Sequence, residues 1–209
     1  FEDGKKKFYD VNSKKYINVP STEDHYILDA FRENKQILRN PECTVHDIGD
    51  GVMCIEFQTK GNSIGEGIAK GINEAIDIAE RDGWNGIVIG NNDKQFSVGA
   101  NLMNMGMMAM QKNFDEIEKF LVGFQKILMR MRTCNVPVVS ATHGFVMGGG
   151  LEVSIHCDAG IHASESYIGL VEAGVGLIPG GGGTKEMAMR ASDSFNSGDV
   201  KMPSLIDHF

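Results

Sequence analysis

Residues 143–184 read HGFVMGGGLEVSIHCDAGIHASESYIGLVEAGVGLIPGGGGT. Two acids, Glu152 and Glu172, stand there beside glycine-dense turns in otherwise apolar surroundings. A carboxylate in such a setting is costly unless hydrogen bonds or protonation relieve it, so the pair points to chemistry as much as to architecture. Gly148-Gly149-Gly150 reads as a strand-to-helix turn, with LEVSIHC opening a short helix. Residues 158–163 follow as a strand, and TKEMAMRA, after the four glycines 180–183, as a helix.

On the N-terminal side, Pro137 opens VPVVSA, a buried strand. The segment 115–132 predicts a helix, because Ile117, Phe120, Leu121, Phe124, Leu128 and Met131 recur at helical spacing. NGIVIGN is a strand bounded by glycine, and the loop NDKQFSVGAN follows it. Residues 63–82 carry Ile64, Ile68, Ile72, Ala75, Ile76 and Ala79 on one helical face, with Gly83 as the stop. CTVHDI and VMCIEF flank Asp50-Gly51, a hairpin signal. Strands alternating with helices predict an α/β domain over residues 41–209. Residues 1–40 differ: KKKFYDVNSKKYINV, broken at Asn12-Ser13, predicts a hairpin. After Pro20, Ser21 and Asp24 begin a helical pattern through Tyr26, Ile27, Ala30 and Phe31, and Asn40-Pro41 ends it. The domain boundary is placed there, and no regular element is assigned beyond Ser192.

The chain has 209 residues, 42% of them hydrophobic, enough for a real core. A net charge of -8 with no dense Lys/Arg cluster excludes nucleic acid as a partner. Cys43, Cys54, Cys134 and Cys157 form no CxxC pair, which predicts a reducing compartment. No run approaches the roughly 18 apolar residues of a membrane span, and FEDGKKKFYD lacks a signal-peptide core, so a cytoplasmic protein with no membrane partner is expected. The start at Phe1 predicts a processed product or a piece of something longer.

Nucleotide sites fail on spacing: no Walker lysine follows the glycines, and Pro179 stands where a dinucleotide fingerprint needs its third glycine. Ser140, His143, His156 and Asp158 sketch a hydrolase, yet no Gly-x-Ser-x-Gly elbow presents a serine, and core or turn roles fit them better. His156, Cys157 and Asp158 make a poor metal site, since neighbours in sequence face different ways, and no metal is expected. Taken singly, Glu152 reads as an exposed helix residue and Glu172 as a loop residue.

FSVGAN (96–101), GFVMGGGLE (144–152) and EAGVGLIPGGGGT (172–184), in this order, resemble the enoyl-CoA hydratase/isomerase, or crotonase, family over roughly residues 43–190. With the tail GGGGTKEMAMRASDSF, the chain is most similar to the hydratase portion of fused proteins that also carry a 3-hydroxyacyl-CoA dehydrogenase. The resemblance implies a spiral of repeated β-β-α units, here lacking the C-terminal closing helices. It makes residues 1–40 a linker or docking segment between two activities.

The resemblance assigns the backbone N–H groups of Ala100 and Gly149 to a thioester oxygen that gathers negative charge, the second at a helix N-terminus. Glu152 would activate water and Glu172 would deliver a proton to the α carbon, adding water syn across a 2-enoyl-CoA. Members keeping only the second acid tend to be isomerases, so hydration in fatty-acid β-oxidation is expected over Δ3,Δ2-enoyl-CoA isomerisation. From a different class, the chain reads as a non-catalytic docking fragment. Phe96, Val98, Gly99, Met103 and Gly148 are assigned to substrate binding, and Lys94 to a CoA phosphate, although a solvated loop lysine fits that position better. Met103, Met105, Met107, Met108 and Met110 suit an adaptable acyl wall and read equally as core packing. Asn101 stands where many members have Asp. The implied partner is an acyl-CoA thioester, with a homotrimer or an associated dehydrogenase domain. No cofactor is implied in this domain; NAD enters only with a fused dehydrogenase.

Overall fold

The computed structural model describes residues 6–21, 25–31 and 35–196. A six-stranded sheet runs in the order β3 (Gln36–Arg39), β4 (Cys43–Gly49), β5 (Val52–Phe57), β6 (Gly86–Ile89), β7 (Val138–Thr142), β9 (Ala159–His162). The first three strands are antiparallel neighbours and the rest pair in parallel. Asp50 and Gly51, at φ 54° and 70°, make the tight β4–β5 turn whose twist matches the strands it joins. Helix α1 (Glu66–Asp82) crosses from β5 to β6 and buries Ile68, Ile72, Ala75, Ile76 and Ala79 against the sheet. It ends at Gly83 in the left-handed conformation, as its sequence predicts. Gly71 has no room for a side chain, since a Cβ there would lie 2.1 Å from Cys43 Sγ.

Between β6 and β7 lie α2 (Leu102–Met110) and α3 (Phe114–Thr133); α3 buries Phe124, Leu128 and Met131. The last two units repeat one plan. β7 is followed by the short strand β8 (Phe145–Met147) and α4 (Gly149–Ile155), and β9 by β10 (Tyr167–Gly169), a 3-10 turn at Glu172–Val175, and α5 (Gly183–Asn196). β8 and β10 pair in parallel outside the main sheet, and single bridges join Ser97 to Val146 and Ile64 to Ala100. The chain at 64, 97–100, 145–147 and 167–169 thus stacks as a second, minimal parallel layer. Each piece runs directly into a helical turn.

Several expectations are corrected. Of the helix expected from residue 21 onward, the described part is a 3-10 turn at Leu28–Ala30 and then strand β3, while residues 22–24 and 32–34 lie outside the described residues; the sheet thus begins ahead of the boundary placed at residue 40. Leu28 and Phe31 are core residues, and Leu28 N donates to Asn92 Oδ1 at 2.7 Å, so this part of residues 1–40 is packed onto the domain. The hairpin is present as β1 (Lys7–Asp10) and β2 (Lys15–Asn18), turned by Asp10, whose carboxylate accepts from Asn12 N and Ser13 N. α5 extends to Asn196, past the end placed at Ser192. Residues 197–209 lie outside the described residues. Among the described residues, no helix is long and apolar enough to cross a membrane.

All four cysteines are free. Burial pushes the thiols of Cys43 up to about 11 and of Cys54 and Cys157 up to about 12, whereas Cys134 is only partly covered. Because the thiolate is the nucleophile, iodoacetamide on the folded chain is expected to label Cys134 first and the other three only on denaturation, read by mass spectrometry. Early labelling of Cys54 or Cys157 would contradict this packing.

Candidate active site

The site lies where the stacked pieces end and their helices begin, the carboxyl end of parallel strands where ligands generally bind. Ser97 builds its floor. Ser97 Oγ donates to Asn62 O at 2.7 Å and accepts from Gly99 N at 3.1 Å, while Ser97 N donates to Phe145 O and Ser97 O accepts from Met147 N. These bonds lay 97–100 against β8. The approach is so close that a Cβ on Gly150 would lie 2.7 Å from Ser97 Cβ.

At Gly99, φ is 92°, and a Cβ would stand 2.8 Å from Met147 O and 3.2 Å from Gly149 N. A Cβ on Gly149 would in turn be 3.4 Å from Ala100 N. The amides of Ala100 and Gly149 are therefore near neighbours from two separate loops. The loop bonds involve their neighbours, with Ile64 N donating to Gly99 O, Asn101 N to Ile64 O and Gly148 N to Gly169 O. Among the described residues neither Ala100 N nor Gly149 N has an acceptor. Two free N–H groups at the starts of helical turns can together hold one anionic oxygen.

Two acids accompany these amides, one on the helix that Gly149 begins and one over Gly148. Glu152, one turn into α4 and 2% exposed, has its Oε1 held by Gly181 N and Gly183 N, both at 2.8 Å. Burial pushes its carboxyl above the ordinary value; the Gly183 N–H pulls it down, and the Glu172 charge pushes it further up. Glu172 reaches over the turn, so that a Cβ on Gly148 would meet its Oε1 at 2.9 Å. Its Oε2 is buried without a hydrogen-bond partner among the described residues. Phe124 stands between, its Cε1 3.7 Å from a Cβ on Gly149 and 2.7 Å from one on Gly181.

Of the residues singled out by sequence, Ala100, Gly99, Gly148, Gly149, Glu152 and Glu172 converge. Val98 is 40% exposed on the same loop. Phe96 is a core residue whose side chain is fully buried against Phe57. Lys94 is exposed, and its ammonium has no partner among the described residues. Met103 is 78% exposed on α2, a helix with no buried residue, so core packing does not account for its methionines. The hydrolase sketch dissolves into structural bonds: Ser140 Oγ pairs with Ser154 Oγ, His143 Nε2 with Asp93 O, and Asp158 accepts from Val138 N. Among the described residues no three His, Cys, Asp or Glu side chains gather as metal ligands. Sequence reasoning missed Ser97, Asn62, and the Gly181 and Gly183 amides; only the serine inside FSVGAN was a usable signal.

The enoyl-CoA hydratase/isomerase family model matches residues 47–197, and the chain belongs to that family. It is 39% identical over 187 residues to a Bacillus subtilis protein named as a probable 3-hydroxyacyl-CoA dehydrogenase, covering 89% of this chain and 23% of that protein. A short-chain-enoyl-CoA hydratase of Clostridium acetobutylicum is 35% identical over 102 residues, 49% of this chain and 38% of its own. An enoyl-CoA hydratase structure from Polaromonas sp. JS666 shares the crotonase-like fold at a TM-score of 0.67 and 23% identity, over 70% of this chain and 58% of that one. The chain thus spans about a quarter of the long relative it matches and well under half of the short-chain hydratase.

Proposed function

We propose that this chain carries a 2-enoyl-CoA hydratase site. The observation that carries the reading is the pair of unengaged amides, Ala100 N–H and Gly149 N–H, with Glu172 over the neighbouring Gly148 and Glu152 one turn into the helix that Gly149 begins. In the proposed reaction the thioester oxygen of a trans-2-enoyl-CoA accepts from both amides, which stabilise the charge that gathers there as an enolate forms. Glu152 takes a proton from water, whose oxygen bonds to C3. Glu172 supplies a proton to C2. The product is a 3-hydroxyacyl-CoA, and the acids exchange their proton states through solvent to close the cycle. Coenzyme A enters as part of the substrate, and no other cofactor is called on.

The short-chain hydratase similarity and the presence of both acids support hydration over double-bond migration. The match to part of a much longer relative supports a place in a fused protein, with the stretch ahead of the sheet as its connection to a dehydrogenase domain. The test is the loss of enoyl-thioester absorbance on adding crotonyl-CoA, with conversion of a 3-enoyl to a 2-enoyl thioester run beside it. Hydration is the expected result. Isomerisation without hydration would overturn the reading in favour of an isomerase. Absence of both, alone and within the full-length parent protein, would leave a docking role.

A further inference from the structure

Next to His156, whose ring bonds the main chain of Glu152, lies a charge cluster centred on a buried acid that the proposed chemistry does not use. Glu186, in the first turn of α5, has no exposed surface. Arg132 of α3 bonds its Oε2, and Lys185 Nζ stands 3.2 Å from its Oε1. Oε1 also faces His156 Nε2 at 3.7 Å, and neither atom has a hydrogen-bond partner among the described residues. The other ring nitrogen, His156 Nδ1, lies 2.7 Å from the main-chain oxygen of Glu152. A carbonyl can only accept, so Nδ1 carries the hydrogen. Burial holds His156 below its ordinary value, while the Glu152 carbonyl and the Glu186 charge pull the other way.

The same Glu186 donates its main-chain N–H to Gly182 O at 3.0 Å. Gly182 lies between the two residues whose amides hold Glu152 Oε1. We propose that Glu186, clamped by Arg132, is a positioning residue that fixes the 181–183 turn so that its N–H groups stay aimed at Glu152 Oε1. This rests on the reading of Glu152 as the water-activating carboxylate. Glu186 is buried while Arg132 keeps about a third of its surface in water, and a pair with one desolvated partner contributes little net stability, so its value here lies in geometry.

The charge acting directly on Glu152 is that of Glu172 from the 3-10 turn; Glu186 and Lys185 from α5 and Arg132 from α3 gather instead around His156, whose ring bonds the Glu152 main chain. Removing the negative charge of Glu186 would by electrostatics alone lower the titration midpoint of Glu152. Loosening the turn does the opposite, because the donors that favour the charged form are lost. The sign of the shift therefore separates the two effects.

The test is a pH titration of side-chain carboxyl carbons by NMR on the whole chain labelled with 13C-glutamate, with the Glu152 signal assigned by its absence in Glu152→Gln. Glu186→Gln and Arg132→Lys are each expected to raise the Glu152 midpoint by about one to two units, the size of one lost charge-assisted hydrogen bond. Amide exchange at Gly181 and Gly183 should quicken about tenfold or more. Arg132→Lys keeps every charge and carries the test should Glu186→Gln not fold. An unmoved or lowered midpoint in the folded variants, or unchanged amide exchange, overturns the proposal even if melting temperature falls. The titration needs neither substrate nor turnover, so its outcome stands apart from that of the hydration assay.

Discussion

Glu152→Gln is expected to lower kcat for hydration of crotonyl-CoA about 100- to 10,000-fold while KM changes little, the range for losing a general acid–base group. Glutamine keeps the shape of the side chain, and its carbonyl oxygen still accepts from Gly181 N and Gly183 N, so the fold has no reason to shift. What disappears is the ability to take a proton from water. Steady-state rates with matched circular dichroism check this, and a kcat within a few fold of the parent would sink the assigned role. The pH profile adds a sign. The base must be ionised to act, and burial holds Glu152 above the usual carboxylate value, so the parent's activity should fail on the acid side at a pH higher than an ordinary glutamate would set. Activity should be present above that limb and lost as pH falls through it.

Gly99→Ala should be nearly as damaging, by another route. The residue sits at φ 92°, where any side chain is strained, and the added methyl would lie 2.8 Å from Met147 O and 3.2 Å from Gly149 N. To make room, the 97–100 loop must move away from β8, and Ala100 N with it. The two amides then no longer meet on one oxygen. Loss of about 100- to 1000-fold in kcat is expected, the usual effect of removing one such donor, with about 1–3 kcal/mol of stability lost to backbone strain. Because these amides act on charge that develops in the transition state, kcat and kcat/KM should fall together. A variant that loses stability but keeps kcat would separate the glycine from the chemistry.

Much of the architecture is legible because its signals are local. Asp50-Gly51 specifies its hairpin within two residues, and the apolar faces of α1 and α3 repeat often enough to reveal their period. The failures are equally physical. Gln36–Arg39 is an edge strand behind a stretch whose Ser21–Asp24 spacing imitates a helix start, and only pairing with β4 makes it a strand. β8 and β10 are three residues each, too short for alternation to register. α2 has no buried face, so its sequence carries no amphipathic stripe. Of the candidate site, the acids and the Gly149 turn stand in contiguous motifs. The donors to Glu152 come from 29 and 31 residues downstream, and the Arg132–Glu186 clamp joins residues 54 apart. No spacing rule anticipates such partners.

The bonds from the 181–183 turn to Glu152 also bear on the order in which the molecule is made. A hairpin such as β4–β5 closes a loop of a few residues, whereas these bonds close one of about thirty, and the entropy of closure grows with loop length. A chain emerging from the ribosome can assemble β4 to β7 and α4 before residue 183 exists. At that stage a Glu152 enclosed by its neighbours has no main-chain donor, and a carboxyl so placed holds its proton. The charged form of this side chain is therefore favoured only once the 181–183 turn has closed on α4, so the turn that leads into α5 completes the setting of the acid rather than merely covering it.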